Sequence, residues 1–324
     1  MSSPYSTKHE LGENNVQVAG LDIHNPVFVI SALLILIFVI GTLIAPAEAK
    51  VILDGAKNWT INNFDWLFMS ASNWFVIFCL AILVLPVGRI RLGGADAKPE
   101  FNRMSWFAML FSAGMGIGLM FWAVAEPIGY YTDWWGTPLN VAANNPAAAD
   151  MAMAATMFHW GFHPWAIYGV VGLALAYFSF NKGLPLTIRS AFYPLIGERV
   201  WGRTGDVIDI LAVLATIFGL ATSLGLGAQQ ASSGLNFVFG IADDLATQLL
   251  VIAGVTSIAV ISVVRGLANG VRILSNINML LAICLLVFVF IAGPTLVILS
   301  TMGSTMTGYL EDMIPLSNWI NRED

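Results

Sequence analysis

The sequence carries little charge for its length. Charged residues make up 10% of the 324 positions, whereas a soluble domain carries about 25%. A chain with so few charges lacks the polar surface needed to face water on all sides. Cysteine is scarce as well, because only Cys79 and Cys284 are present and each lies in a separate apolar run. These residues form neither a disulfide framework nor a metal-ligand spacing.

Basic clusters with interleaved aromatic residues are also missing, so no nucleic-acid partner is expected. The sequence shows no phosphate-binding loop and no nucleophile beside a base, which excludes the common enzyme classes. We therefore predict that the protein is not an enzyme and carries no cofactor.

Long apolar runs dominate the sequence instead. Hydrophobic residues make up 57% of the chain, and runs of about 20 apolar residues match the thickness of a bilayer when helical. The pattern predicts an all-α integral membrane protein. The first run, 27–45, follows a polar tail and is too long for a signal-peptide core, so we interpret it as a retained span. The predicted spans are 27–45, 64–87, 104–126, 151–179, 207–237, 246–264 and 277–299.

The fifth span is too long for one straight crossing, so a tilted or broken helix is expected there.

Eleven of the fourteen Lys and Arg residues fall in segments that share one side if the N-terminus is cytoplasmic. The positive-inside rule therefore predicts a cytoplasmic N-terminus. The chain then divides into a cytoplasmic tail 1–26, a seven-span domain 27–299 and an extracytoplasmic segment 300–324. That last segment is either an interfacial helix or a frayed tail.

The third span contains three glycines in five residues, at Gly114, Gly116 and Gly118. Each glycine weakens a helix by about 1 kcal/mol relative to alanine. Gly114 and Gly118 are also four residues apart, a spacing typical of close helix packing. The alternative is a locally unwound helix whose carbonyl groups bind a cation or substrate beside a cavity. The additional Gly116 favours this second interpretation.

The fourth span contains Trp160, Trp165 and Tyr168 well inside its length. Tryptophan normally lies at the membrane interface, so its presence here indicates a function. On an ideal helix the three rings fall within about 140°, and Pro164 can bend the helix between them. A quaternary ammonium has no N–H to donate, so aromatic ring faces are the usual means of binding it.

Other polar residues of the spans admit simpler interpretations. His159 and His163 are four residues apart but lack a third ligand at a suitable spacing, so hydrogen bonding is favoured over metal binding. The hydroxyl and glycine residues between Ala215 and Gly227 fit tight packing or oxygen ligands for sodium, and packing is the safer interpretation. We interpret three acidic residues as interfacial charges rather than proton carriers: Glu126, Asp206 and Asp209.

Together these motifs resemble the betaine/carnitine/choline transporter family, from the first span to the last. The resemblance lies in the run Phe111–Phe121, in Glu126-Pro127, in Phe158-His159-Trp160 with His163–Tyr168, and in Ser223–Gly227. It implies a LeuT-like inverted-repeat transporter fold: two inverted five-helix repeats preceded by two extra helices. The third to seventh spans would form the first repeat. It also implies a bacterial inner-membrane protein that forms a homotrimer when complete.

The resemblance also implies site residues. Substrate would be bound by Trp160, Trp165 and Tyr168 and by the glycine-rich backbone of Gly114, Met115, Gly116 and Gly118. Sodium would be bound by Ser112 and Met115, and a second sodium site would involve Thr216. At this second site the family has a partner of the threonine four residues further on. This sequence has Leu220 there, so it departs from the family at the second site.

The sequence departs from the family in extent. The family's tryptophan-rich eighth span would begin just after Asp324, so most of the substrate cage and the second repeat are missing. We expect the sequence to be a fragment of a longer protein, the alternative being a truncated product that does not transport alone.

The leading hypothesis is a cation symporter, driven by sodium or by protons, for glycine betaine or a related trimethylammonium or sulfonium osmolyte such as choline, carnitine or dimethylsulfoniopropionate. One alternative is a seven-helix photoreceptor or signalling protein, but the seventh span lacks the lysine that retinal requires. Another is a membrane subunit or sensor that binds an osmolyte without moving it.

Overall fold

A computed structural model describes residues 5–10 and 12–320. Helices make up most of this part of the chain, which confirms the predicted all-helical membrane architecture. The helices are α1 Val27–Ile44, α2 Pro46–Val84, α3 Arg103–Gly114, α4 Ile117–Tyr131, α5 Pro146–Trp160, α6 Phe162–Ala176, α7 Tyr193–Ile196, α8 Arg203–Phe239, α9 Leu245–Val264, α10 Arg272–Ala292 and α11 Thr295–Ser317. One antiparallel hairpin, of strands β1 Asn15–Val18 and β2 Leu21–His24, lies in the predicted tail.

Six helical segments of this part of the chain are long and apolar enough to cross a membrane, and α3 with α4 forms a seventh that is bent by 55°. One of these six segments runs from the start of α5 through α6 and ends at Asn181. The number of spans therefore agrees with the sequence pattern. The chain is a multi-pass membrane protein by the length and composition of these helices.

Several helix limits differ from the predicted spans. The second span was predicted to begin at residue 64, yet α2 begins at Pro46. Proline favours the first turn of a helix, and the polar turns that follow include the pair Lys50 Nζ–Asp54 Oδ2 at 2.6 Å. At 1.5 Å per residue, α2 is about 58 Å long. It exceeds the hydrocarbon core of about 30 Å, so hydropathy marks only its apolar part.

The fifth span, expected to be tilted or broken, is one uninterrupted helix, α8. The seventh predicted span crosses a helix boundary instead. Helix α10 ends at Ala292 and α11 begins at Thr295, because Pro294 has no amide hydrogen with which to continue α10. Residues 300–317, part of the predicted interfacial segment, belong to α11.

Side-chain caps fix several helix starts. Asn102, Asn145 and Asp244 accept hydrogen bonds from the amides of Ser105, Ala148 and Thr247 at 2.9, 3.0 and 2.9 Å. Each cap satisfies an amide that the first turn leaves without a helical acceptor.

The described chain divides into two compact units. The first comprises the residues up to Ala97 together with Phe162–Gly219, and the second comprises Lys98–Gly161 together with the residues from Leu220 onward. In the first unit α2 packs against α6, and in the second α5 packs against both α4 and α11 while α3 packs against α10.

Candidate functional site

The third span is interrupted where the glycines predicted it. Helix α3 ends at Gly114, and α4 begins at Ile117 after an extended Gly116 with φ −97° and ψ 176°. In a continuous helix the Gly116 amide would donate to the Ser112 carbonyl, but here it donates to the Gly114 carbonyl at 3.1 Å. The Ser112 carbonyl thus loses its helical donor, which leaves a backbone acceptor at the break.

Helix α10 holds α3 in place through two side-chain hydrogen bonds. Asn276 Nδ2 donates to Ser105 Oγ at 3.2 Å, and Asn278 Nδ2 donates to Ser112 Oγ at 3.1 Å. Both asparagines lie in the first two turns of α10, before its long apolar run. The Ser112 hydroxyl, predicted to lie at a sodium site, is therefore engaged with α10. It also borders a cavity of about 400 Å³ that is lined in part by Ser262, Ser275 and Asn278.

Trp160 lies over the glycine-rich segment. A Cβ built on Gly118 would lie 3.9 Å from Cη2 of Trp160, so the edge of the indole covers the start of α4. Two of the predicted substrate-binding residues are therefore neighbours. The Trp160 Nε1 atom is buried and has no hydrogen-bond partner among residues 5–10 and 12–320. A buried N–H without an acceptor costs about 1–3 kcal/mol, so a ligand carboxylate or carbonyl reaching this atom would be stabilised.

The ideal-helix arrangement of Trp160, Trp165 and Tyr168 is wrong. Helix α5 ends at Trp160, and Gly161 has φ −92° and ψ −132°, outside helical values. The interruption therefore lies at Gly161, not at Pro164. Pro164 is the third residue of α6, where its missing amide hydrogen costs no helical hydrogen bond.

Tyr309 of α11 explains why glycine is needed at position 161. A Cβ built on Gly161 would lie 2.7 Å from the Tyr309 hydroxyl and 2.5 Å from the Met157 carbonyl oxygen. Tyr309 is only 2% exposed. Its ring therefore occupies the space beside the backbone that follows Trp160, and α11 supports the end of α5.

Glu126 forms a polar cluster with His159 and Tyr130 that the sequence did not reveal. Glu126 is buried, and its Oε2 lies 3.2 Å from His159 Nδ1, with the Tyr130 hydroxyl 3.4 Å from the same nitrogen. The sequence interpretation of Glu126 as an interfacial charge overlooked this pair. Because 33 residues separate the two partners, no local spacing could have indicated it.

The histidines form no metal site in the part of the chain that the structure describes. His163 Nε2 contacts Asn73 Oδ1 at 2.9 Å within the first unit. His159 pairs instead with Glu126 in the second unit. No three His, Cys, Asp or Glu residues come together there in a way that would hold a metal ion.

The remaining predicted site residues belong to the first unit. The rings of Trp165 and Tyr168 are in contact, with centroids 5.7 Å apart and planes at 41°, and both are well exposed. Thr216 donates its hydroxyl hydrogen to the Ala212 carbonyl at 2.8 Å and borders a cavity of about 360 Å³. In the second unit, a Cβ on Gly227 would lie 2.9 Å from Ile117. Gly227 thus allows close packing on Ile117, whereas a Cβ on Gly219 or Gly225 would meet nothing within 4 Å.

These features define a class of protein: a multi-span α-helical membrane protein whose third span is unwound at a glycine-rich segment next to a tryptophan. Half-helices with such unwound segments are typical of secondary transporters. A family model described as "BCCT, betaine/carnitine/choline family transporter" matches residues 26–324. The chain belongs to this family, and the resemblance seen in its motifs is confirmed.

Individual relatives are similar over most of the chain. It is 58% identical over 320 residues to glycine betaine transporter 1 of Vibrio parahaemolyticus, covering 98% of this chain and 61% of the relative. It is 55% identical to a glycine betaine/proline/choline/ectoine transporter of the same organism, with 98% and 57% covered. It is 42% identical to the glycine betaine transporter OpuD of Bacillus subtilis, with 86% and 54% covered. The chain thus spans about three-fifths of the length of these relatives.

The packing of Tyr309 on Gly161 generates a stability prediction. Gly161→Ala should lower the melting temperature of the purified protein by several degrees, because overpacking a filled site costs about 1–3 kcal/mol. Differential scanning fluorimetry in detergent measures the change. Gly303→Ala is the matched control, because a Cβ at Gly303 of α11 meets nothing within 4 Å. Equal melting temperatures for Gly161→Ala and the unaltered protein would contradict the described packing.

Proposed function

We propose that the protein is a secondary active transporter that couples entry of a cation to uptake of glycine betaine or a related trimethylammonium or sulfonium osmolyte. The observation that carries this proposal is the broken third span with the Trp160 ring over Gly118. Relatives at 58% and 55% identity are named as transporters of glycine betaine, which supports the same substrate class here.

The chemistry of the site matches the two ends of glycine betaine. Aromatic faces attract a quaternary ammonium by about 0.5–2 kcal/mol each. Trp160 would supply such a face in the second unit, and Trp165 and Tyr168 would supply such faces in the first. The buried Nε1 of Trp160 would suit the carboxylate end of the substrate. The backbone of Gly114, Met115, Gly116 and Gly118 would allow a ligand to approach closely, because three of these four residues have no side chain.

Sodium is the coupling ion that we propose, with protons as the alternative. The Ser112 carbonyl released at the end of α3 is a hard oxygen ligand of the kind that such cations prefer, and Met115 lies at the same break. Thr216 would contribute a hydroxyl oxygen to a second cation site. We further propose that the N-terminus is cytoplasmic, that the protein lies in a bacterial inner membrane and that it forms homotrimers.

The substrate assignment predicts a graded loss of uptake. Trp160→Ala and Trp165→Ala should each raise the KM for radiolabelled glycine betaine by about two- to thirty-fold, the range expected for one ring face. The corresponding Phe variants should keep part of the affinity because phenylalanine still presents a ring face. Trp59→Ala is the control, since Trp59 of α2 is 61% exposed and is not among the proposed site residues.

Unchanged uptake by both alanine variants would contradict the site assignment. Equilibrium binding of glycine betaine to proteoliposomes without any counterflow would instead support an osmolyte-binding subunit over a transporter.

The coupling ion can be tested separately. Replacing external sodium by potassium should abolish uptake, and Thr216→Ala should raise the sodium concentration needed for half-maximal uptake by losing one oxygen ligand. Ser257→Ala is a matched control, because Ser257 makes the same hydroxyl-to-carbonyl hydrogen bond along α9, to Ala253 at 2.7 Å. Full uptake in potassium that depends on a pH gradient would show proton coupling and overturn the sodium assignment.

A further inference from the structure

The N-terminal segment before the hairpin lies along the first unit in an extended form. Tyr5, Thr7 and His9 are partly buried, whereas the alternate residues Ser6, Lys8 and Glu10 are exposed. An alternation with a period of two indicates an extended chain with one face on a surface. The covered face contacts residues 182–202, which we call the connector. The connector links α8 to the helical segment that contains α6 and ends at Asn181.

Tyr5 anchors the beginning of the segment. Its amide donates to the Lys182 carbonyl at 3.1 Å, and its ring lies 5.1 Å from the ring of Tyr193 of α7. The Lys182 ammonium lies 4.7 Å above the Tyr5 ring, a cation–π distance. The Tyr193 hydroxyl donates to Glu198 Oε1 at 2.7 Å and lies 3.3 Å from the Ser6 carbonyl oxygen. The hydrogen bond to Glu198 raises the pKa of Tyr193.

Thr7 and His9 bind the indole of Trp201. Trp201 Nε1 donates to Thr7 Oγ1 at 2.9 Å, and the Thr7 hydroxyl contacts Glu198 Oε2 at 3.2 Å. The His9 ring stacks on Trp201 with centroids 4.3 Å apart and planes at 8°. Trp201 forms a buried core with Leu184 and Val200. The segment is therefore docked on a formed core rather than on a loose loop.

The hairpin end of the segment reaches a buried ion-pair network. Arg189 is 3% exposed and pairs with Asp206 at 3.0 Å and with Asp209 at 2.5 Å. Its Nη2 lies 3.5 Å from Nε2 of His24, the last residue of β2. Arg189 thus joins the hairpin, the connector and the start of α8. A buried guanidinium needs such partners, because an unpaired buried charge is costly.

We propose that residues 5–10 and 12–24 form a strap that braces the connector 182–202, including Arg189 where it pairs with the start of α8, and that detachment of the strap is a step in opening this end of the first unit. The cavity bordered by Thr216 lies beside the strap. Val27, which follows the hairpin, Thr187 of the connector and Asp209 of the ion-pair network all line it. When the strap detaches, the connector loses the contacts made by Tyr5, Thr7 and His24 and is left with the Arg189 ion pairs to α8. These segments then separate more readily and the cavity widens.

Trypsin cleavage after Lys8 tests whether the strap is docked. In the purified, detergent-solubilised protein, cleavage should be much slower than in a synthetic peptide of residues 1–24, because a docked segment must open before it is cut. Tyr193→Phe with Glu198→Ala leaves the cleavage site unaltered and removes two of the contacts, so cleavage should become about tenfold faster. Leu195→Ala is the control, because Leu195 is 78% exposed on the same short helix.

Cleavage of the unaltered protein at the rate of the peptide would overturn the docking. So would equal rates for the double variant and the Leu195→Ala control.

Maleimide labelling tests whether detachment opens the cavity. The labelled residue is introduced as Ala212→Cys, because Ala212 lines the cavity. The background protein carries Cys79→Ser and Cys284→Ser, so that it has no other thiol. Labelling at position 212 should become several-fold faster when Tyr193→Phe and Glu198→Ala are added, and it should not change with Leu195→Ala. Equal labelling in all three proteins would overturn the coupling of the strap to the cavity.

The strap proposal rests on the proposed transport function only for its physiological meaning. Neither measurement needs substrate, a coupling ion or uptake, so failure of one proposal is distinguishable from failure of the other.

Discussion

The site depends on one constraint of the bilayer, which is that backbone polar groups in hydrocarbon need partners. A span interrupted at Met115 and Gly116 violates this rule unless it lines a cavity or packs against protein. The structure supplies both, since α10 holds α3 through Asn276 and Asn278 and the Trp160 indole covers Gly118. The 55° bend between α3 and α4 is therefore supported by neighbouring helices, and it leaves the Ser112 carbonyl without its helical donor.

The position of Trp160 depends in turn on contacts at the end of α5. Tyr309 of α11 packs against the backbone at Gly161, and His159 pairs with the buried Glu126 of α4. One of these contacts comes from α4, which precedes α5 in the chain, and the other comes from α11, which follows it. The backbone on either side of Trp160 is therefore fixed by packing and by hydrogen bonding, which holds the end of α5 in position.

Hydropathy and glycine content predicted the spans and the break in the third span, because both depend on local composition. Other features depend on residues far apart in sequence. Gly161 interrupts the helix at a place where Tyr309 requires a residue without a side chain, and Glu126 is paired with a residue 33 positions away. The sequence indicated only a polar cytoplasmic tail before the first span, because the partners of the strap, Lys182, Arg189 and Trp201, lie more than 150 residues further along the chain.

The central proposal is that the site would recognise the positive charge of a trimethylammonium group through aromatic rings. Competition against glycine betaine uptake by 3,3-dimethylbutanoate, its uncharged carbon isostere at the ammonium end, tests this claim most directly. The account predicts that the isostere competes at least about tenfold more weakly, since it keeps the shape and the carboxylate but loses the cation–π attraction of several rings. Equal competition would show that shape and carboxylate alone are recognised, and it would contradict the account.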